Sequence, residues 1–499
     1  MPEEKKNQNA NQELQNAPET GVVFDNKEAS AQPAQPAAPV SGIPEEYLTD
    51  EDLYPVSAEN HGGNMKKKIP LAIILGGGLL VLVVLVLLFV KLLGGGKAAT
   101  VNKVELSYWG LWESETVMNE IIGEYEKLNP NIHITYTQMD AKSSYIDRLV
   151  ERTKKGTGPD ILKYHNTWVP LLTDILAPAP STVFTSDEFA SIFYPVVAKD
   201  LDLEGKIVGV PLSLDGLVIL YNSDILKAAG VAQVPADWES LISVAQKVTV
   251  REPGGEIITA GLAVGTADNI AHFSDIMGLM FLQNGVDVRN LEGDVNALTV
   301  LDAYTNFALS TNNVWSDTLD NSLIAFANGR VAMIFAPVWR ISSLRLMNPD
   351  LKLAVAPVPQ VKGGEQAVLA NYWVEGVSRG SEHQKEAWEF LKFLTEKGTL
   401  EKLYDLDMKA DNRLFGNPYP RQDMAELLVN HEYLGPLVNE FPNFKTLPLV
   451  SFTYDNSIND RLSAYLKDAV NGVLYNSSPA TALSTLDKGF KQVFLELKY

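Results

Sequence analysis

Apolar and polar positions alternate along this chain in two periods, and the change from one to the other marks its elements. In "KVELSYW" and "NIHITYTQM" every second residue is apolar, at Ile132, Ile134 and Tyr136 in the latter, which predicts strands with one buried face. Between them, "SETVMNEIIGEYEKLNP" shifts to helical spacing. Val117, Ile121, Tyr125 and Leu128 share one face, Met118 and Ile122 flank it, and Pro130 ends it. A helix from about Ser143 to Lys155 and a strand in "PDILKY" follow. Strands alternating with helices of this length predict right-handed βαβ units, a parallel sheet and an α/β fold. Strands return in "GLVILYN", "RVAMIFA" and "LKLAVAPV", and "SEHQKEAWEFLKFLTEKG" predicts a helix with Ala387, Trp388, Leu391 and Leu394 inward. No short internal repeat is present.

One stretch breaks both periods. From Ile69 to Val90, 22 residues run without a charge. As a helix they would span about 33 Å, enough for a hydrocarbon core of about 30 Å. A secretory signal has a short basic start and a shorter apolar core. The 68 residues that precede this run therefore predict a retained transmembrane helix, placed at 69–93 with its flank. Lys66, Lys67 and Lys68 precede the run more tightly than Lys91, Lys97 and Lys103 follow it, which predicts a cytoplasmic N-terminus and an extracellular C-terminal part at the cell membrane. Residues 1–65 carry 12 acids and 3 Lys among Gln, Asn, Ala and Pro, the composition of a disordered acidic tail. Residues 94–102 read as a tether, and 103–499 as the functional domain.

Composition narrows the function. The part from Ala98 onward keeps a net charge of −17, which disfavours nucleic acid and anionic lipid as its ligands. There is no Cys, so disulfides, thiol nucleophiles, Cys-based metal sites and a lipid-modified cysteine anchor are excluded. The 6 His are scattered, and no metal or cofactor is expected. Walker, HExxH, EF-hand and Rossmann patterns are missing. One catalytic pattern occurs, GxSxG at Gly376 to Gly380, between a strand-like "ANYWVEGV" and a helix. It opens the alternative of a serine esterase using Ser378, although such a short match often arises by chance.

A stronger signal is a set of segments in one order: "GTGPDILKYHNTWVPLL", "GVPLSLDGLVILYNSDILKAAGV", "VPADWESLISVAQKVT", "FANGRVAMIFAPVW", "LAVAPVPQ" and "SEHQKEAWEFLKFLTEKGTLEKLYD". Together they resemble the family 1 extracellular solute-binding proteins of ABC importers, the group that includes maltose-binding protein, over roughly Lys103 to Tyr499. The resemblance implies a two-lobed periplasmic-binding-protein fold, not an enzyme. A carbohydrate, mono- or oligosaccharide, would bind between the lobes and pass to ABC permease subunits in the membrane. It also implies crossovers near Leu212–Gly216, Val374–Ser378 and Thr446–Phe452. Lobe 1 would then hold about 103–212 and 379–445, and lobe 2 about 217–373 and 453–499. The apparent transmembrane anchor departs from the cleaved or lipid-anchored relatives and opens a second alternative, a sensor that signals through its anchor and tail.

A sugar site wants aromatic platforms and hydrogen-bonding groups. Of the 8 Trp, Trp238 and Trp388 read as structural, Trp315 is undecided, and Trp109, Trp112, Trp168, Trp339 and Trp373 lie at or beyond predicted strand ends. By resemblance, Tyr164 and Trp339 align with sugar-stacking aromatics, Asn166 and Trp168 with a polar ligand loop, and Asp215 with a ligand-binding acid at the first crossover. Tyr372 and Trp373 at the second crossover, Trp112 and Glu113 after the first strand, and Asp140 after the second complete the candidate ligand set. Asp140 could equally cap the next helix.

Overall fold

The computed structural model describes residues 103–141, 144–410 and 413–499. The expected tail, transmembrane helix and tether lie outside the described residues. Among the described residues no helix is long and apolar enough to cross a membrane.

The chain builds two mixed sheets. β1 (Val104–Gly110) pairs in parallel with β2 (Ile132–Gln138) and β3 (Ile161–His165). β14 (Trp373–Ser378) then runs antiparallel to β3, to β4 (Leu176–Ala177) and to β7 (Val210–Pro211). A small hairpin of β5 (Asp202–Leu203) and β6 (Lys206–Ile207) stands apart. In the second sheet, β8 (Asp215–Asn222) runs antiparallel to β11 (Val331–Pro337) on one side. On its other side lie β12 (Leu353–Ala356) and β13 (Val368–Asn371), also antiparallel. β10 (Ile257–Leu262) and β9 (Val250–Arg251) extend it past β11, and β15 (Phe444–Lys445) extends it past β13.

Local chemistry explains the first βαβ unit. Ser114 accepts the amide of Val117 and so caps helix Glu115–Leu128, whose Val117, Met118, Ile121, Ile122 and Tyr125 are buried. Leu128, expected on that face, is 72% exposed as the last residue of the helix. In helix Gln384–Leu394 the buried residues include Ala387, Trp388, Leu391 and Leu394, and the Trp388 indole donates to the Ala177 carbonyl at 3.2 Å. The sheets are mixed, not parallel, since β14 and β8 each run against their neighbours.

The chain passes between sheets at three places. The first lies between β7 and β8, at residues 212–214. The second is Tyr372, the single residue between β13 and β14, ahead of the expected 374–378 because β14 already belongs to the first sheet. The third precedes residue 444, since β15 pairs with Val368 and Leu369 of β13. The expected end of the first lobe at 445 is therefore late, because a two-residue strand leaves no period to read. The last two helices, Ile458–Leu474 and Pro479–Leu497, pack on each other and on helix Val295–Leu309 in the second lobe.

Backbone approach is tightest at Gly261 in β10, where a Cβ would lie 1.9 Å from the Ala245 carbonyl oxygen of the helix covering that strand. Neither backbone can yield cheaply. Gly261→Ala is expected to lower stability by about 1–3 kcal/mol, read from the denaturant midpoint. An unchanged midpoint would contradict this packing.

Candidate functional site

The topology gathers three of the candidate tryptophans at one sheet edge. β1 and β3 are parallel, so their C-terminal ends lie together, and antiparallel β14 starts there, with Trp373 opposite His165. Trp112 follows β1, Trp168 follows β3, and Trp373 opens β14. Their rings meet edge to face, Trp112 with Trp373 at 5.1 Å and Trp168 with Trp373 at 5.3 Å, while His165 touches Trp373 at 5.2 Å. Trp112 and Trp373 are half-buried; Trp168 is 1% exposed and donates its indole N–H to Asp455 at 2.9 Å. Trp168 therefore supports the other two more than it offers a face. Trp109 lies apart, under the guanidinium of Arg152 at 5.7 Å.

A second group forms where β8 begins and β11 ends. Asp215 Oδ1 accepts the amides of Gly216 at 2.6 Å and Val338 at 3.4 Å. Burial pushes its carboxyl up to about 7, although the amides of Gly216, Val338 and Trp339 pull the other way. Trp339 is half-buried. The guanidinium of Arg340 lies 3.9 Å from the Trp339 ring centre and 4.2 Å from that of Phe452, in the angle between rings set at 87°. Arg340 Nε donates to His272 Nε2 at 3.3 Å, and His272 Nδ1 lies 2.8 Å from the Ser451 hydroxyl.

A third group fastens the crossovers. Oδ2 of half-buried Asp200 accepts from the Tyr372 hydroxyl at 2.7 Å, from Asn166 Nδ2 at 3.2 Å and from the Thr446 hydroxyl. Burial raises the Asp200 carboxyl above its ordinary value, against these hydrogen bonds. Asn166 and Tyr372 are thus tied to one another and to Asp200, both buried, and act at the crossover.

Residues 111–400 match the family described as bacterial extracellular solute-binding protein. The chain belongs to that family. It is 22% identical over 322 residues to the multiple sugar-binding protein of Streptococcus mutans, covering 61% of this chain and 74% of that one. It is 26% identical over 316 residues to the arabinooligosaccharide-binding protein of Bacillus subtilis, covering 58% and 69%. In structure it is similar to the sugar-binding protein MalE of Xanthomonas citri, with a TM-score of 0.64 at 19% identity over 79% of this chain and 98% of that one. A cyclo/maltodextrin-binding protein complexed with maltotetraose gives 0.62 at 16% identity over 78% and 97%. The fold is the two-lobed α/β architecture of MalE. The chain is a binding protein and not an enzyme.

Four candidates of this solute-binding protein lie elsewhere. Tyr164 is fully buried within the first sheet's core and donates to the Val208 carbonyl at 3.1 Å, with its ring against Gly376, so it offers no stacking face. Glu113 turns inward to Lys163, whose Nζ lies 2.6 Å from it and 2.8 Å from Glu375. Asp140 is exposed beyond β2, and the helix that follows takes Ser144 at its cap position. Ser378 is 2% exposed and its hydroxyl accepts the Gly380 amide at 3.1 Å, so it closes the turn after β14 and is no nucleophile elbow. A cavity of about 300 Å³ lined by Trp238, Ile242, Met280, Val300 and Phe307 shares no residue with the three groups above. Sequence patterns missed His165, Asp200, His272, Arg340, Phe452 and Asp455. The signal that could have found Arg340 is its place directly after a strand-end tryptophan.

The buried Lys163 cluster carries a titration. Burial works against the Lys163 charge, but Glu113 and Glu375 outweigh it and raise its pKa. Burial also pushes the Glu375 carboxyl up to about 7; Lys163 opposes this and Glu113 adds to it. An unfolded glutamate ionises near 4.3. Between there and about 7 the folded state holds a proton the unfolded state has lost, so this group's contribution to stability falls as pH rises and reaches its floor above pH 7. Unfolding free energies from pH 5 to 8 are expected to decline less steeply in Glu375→Gln than in the wild type. Equal slopes would remove Glu375 from this role.

Proposed function

We propose that this solute-binding protein captures a mono- or oligosaccharide between its lobes and delivers it to an ABC importer. The observation that carries the reading is the edge-to-face cluster of Trp112 and Trp373, half-buried at the C-terminal strand edge and backed by Trp168. Sugar rings present an apolar C–H face that indoles match, and strand ends are where α/β folds bind ligands. The sugar-binding names of the Streptococcus and Bacillus relatives support the class. In this reading Trp112, Trp373 and Trp339 contact the ligand and Asp215 hydrogen-bonds it. Trp168, Asn166 and Tyr372 hold the cleft's frame. Lobe closure then buries the ligand and alters the surface that faces the permease.

A panel of mono- and oligosaccharides against the full chain tests this. One sugar at a hundred times its Kd should stabilise the fold by about 2.7 kcal/mol, seen as a higher melting temperature. Trp373→Ala should weaken that sugar by about tenfold or more, or about 1.4 kcal/mol. A melting temperature indifferent to every sugar, with a response to peptides or polyamines, would overturn the ligand class.

The reading also puts a transmembrane helix at residues 69–93 with the N-terminus inside. It rests on the 22 uncharged residues and the three preceding lysines. Tethering would raise the effective concentration of loaded receptor beside its permease. After cell lysis the full chain should sediment with membranes and resist alkaline extraction, whereas deletion of 69–93 should release it. Release of the intact chain by alkali would refute the anchor.

A further inference from the structure

Between Val450 and helix Ile458–Leu474 the chain does something unusual. Phe452, Tyr454 and Asn456 take φ of +59°, +51° and +44°, three left-handed non-glycine residues in five. Asn tolerates this conformation; Phe and Tyr do so only at a cost. Such strain persists only where the surroundings over-determine it. Here they do. The carboxylate of buried Asp455 accepts five hydrogen bonds: at Oδ1 from the amides of Ser457 at 2.8 Å and Asp460 at 3.2 Å, and at Oδ2 from the Trp168 indole at 2.9 Å, the Asn459 amide at 3.1 Å and Asn459 Nδ2 at 2.8 Å. Asn459 also donates to the Thr167 hydroxyl at 2.7 Å.

The stretch joins both aromatic groups of the cleft. Through Asp455 it holds Trp168, the support of Trp112 and Trp373. Through Phe452 it closes the corner that holds the Arg340 guanidinium against Trp339, and the Phe452 ring also meets His272 at 5.0 Å and Tyr454 at 6.3 Å. Phe452 and Tyr454 both remain half-buried between these groups.

We infer that Phe452–Asn456 is a preset wall of the ligand cleft. Its strained backbone aims Phe452 and Tyr454 as further ligand-reading residues, and Asp455 is the positioning residue that holds the wall in register with Trp168. This rests on the cleft reading above. The strain is the cost of a fixed shape, and a fixed shape spares the ligand the entropy of ordering the loop.

Two variants at one position separate strain from contact. Tyr454→Ala removes the ring and keeps the strain; Tyr454→Gly removes both. The glycine variant should melt higher than the alanine variant, by on the order of 2 °C. It should nevertheless bind maltotetraose several-fold more weakly, because its loop is no longer preset. A loop that is only strained gives glycine the advantage in both measurements, and that outcome overturns the inference. If the wild type ignores maltotetraose, that counts against this sugar as ligand and leaves the loop to a ligand-free readout. The Trp168 indole N–H resonance of the full chain, assigned by its loss in Trp168→Phe, should shift or broaden in Tyr454→Gly and stay in place in Tyr454→Ala. A resonance unmoved in both variants overturns the coupling.

Discussion

One oxygen of the Asp200 carboxylate governs the geometry of the cleft. It lies where the chain leaves β3, where it returns to the first sheet through Tyr372, and where it passes Thr446 beside β15. A buried carboxylate costs several kcal/mol unless its lone pairs are used. Here three donors from three distant segments use them. The arrangement is therefore mutual, since none of the three segments can shift without costing the acid a donor. The relation of the two sheets, and with it the spacing of everything between them, follows from that satisfaction.

The two sides of the cleft are chemically unlike. The first-sheet side offers neutral indoles in edge-to-face contact, adaptable in the ligand face they can meet. The second-sheet side combines indole and phenyl with the Arg340 cation and the imidazole of His272. A guanidinium in the angle between two rings gains cation–π attraction and leaves little freedom to any of the three. One side can thus supply stacking area while the other supplies orientation, the division of labour that small-molecule pockets commonly show.

Much of this was legible in the sequence. The period-2 runs located β1 and β2, short apolar runs located β3, β8 and β11, and three of the strand-end tryptophans meet at one edge of the first sheet. The failures have physical reasons. β3 is covered on both faces, so its alternation vanishes and nothing in "ILKYH" tells that Tyr164 points into the core. Glu113 looked like a cleft acid because its partner Lys163 stands fifty residues away on a neighbouring strand. Asp200 sits on a short helix among ordinary charged residues, and only the assembled crossovers give it meaning. The third crossing was misjudged because β15 is two residues long. The left-handed turn after Val450 left no glycine to announce it.

The insertion of β14 beside β3 carries a consequence for how the molecule comes into being. His165 and Asn371, hydrogen-bonded in the finished protein, stand 206 residues apart. A ribosome adding about 5–20 residues per second needs roughly 10–40 s to supply the second after the first. Throughout that interval β3 has a bare edge, and Lys163 has no Glu375 to meet. The first lobe is begun early and completed late, around a second lobe made in between. For a polypeptide exported before it folds, such a delay is no handicap. It would keep such a chain open until its last strand had been made.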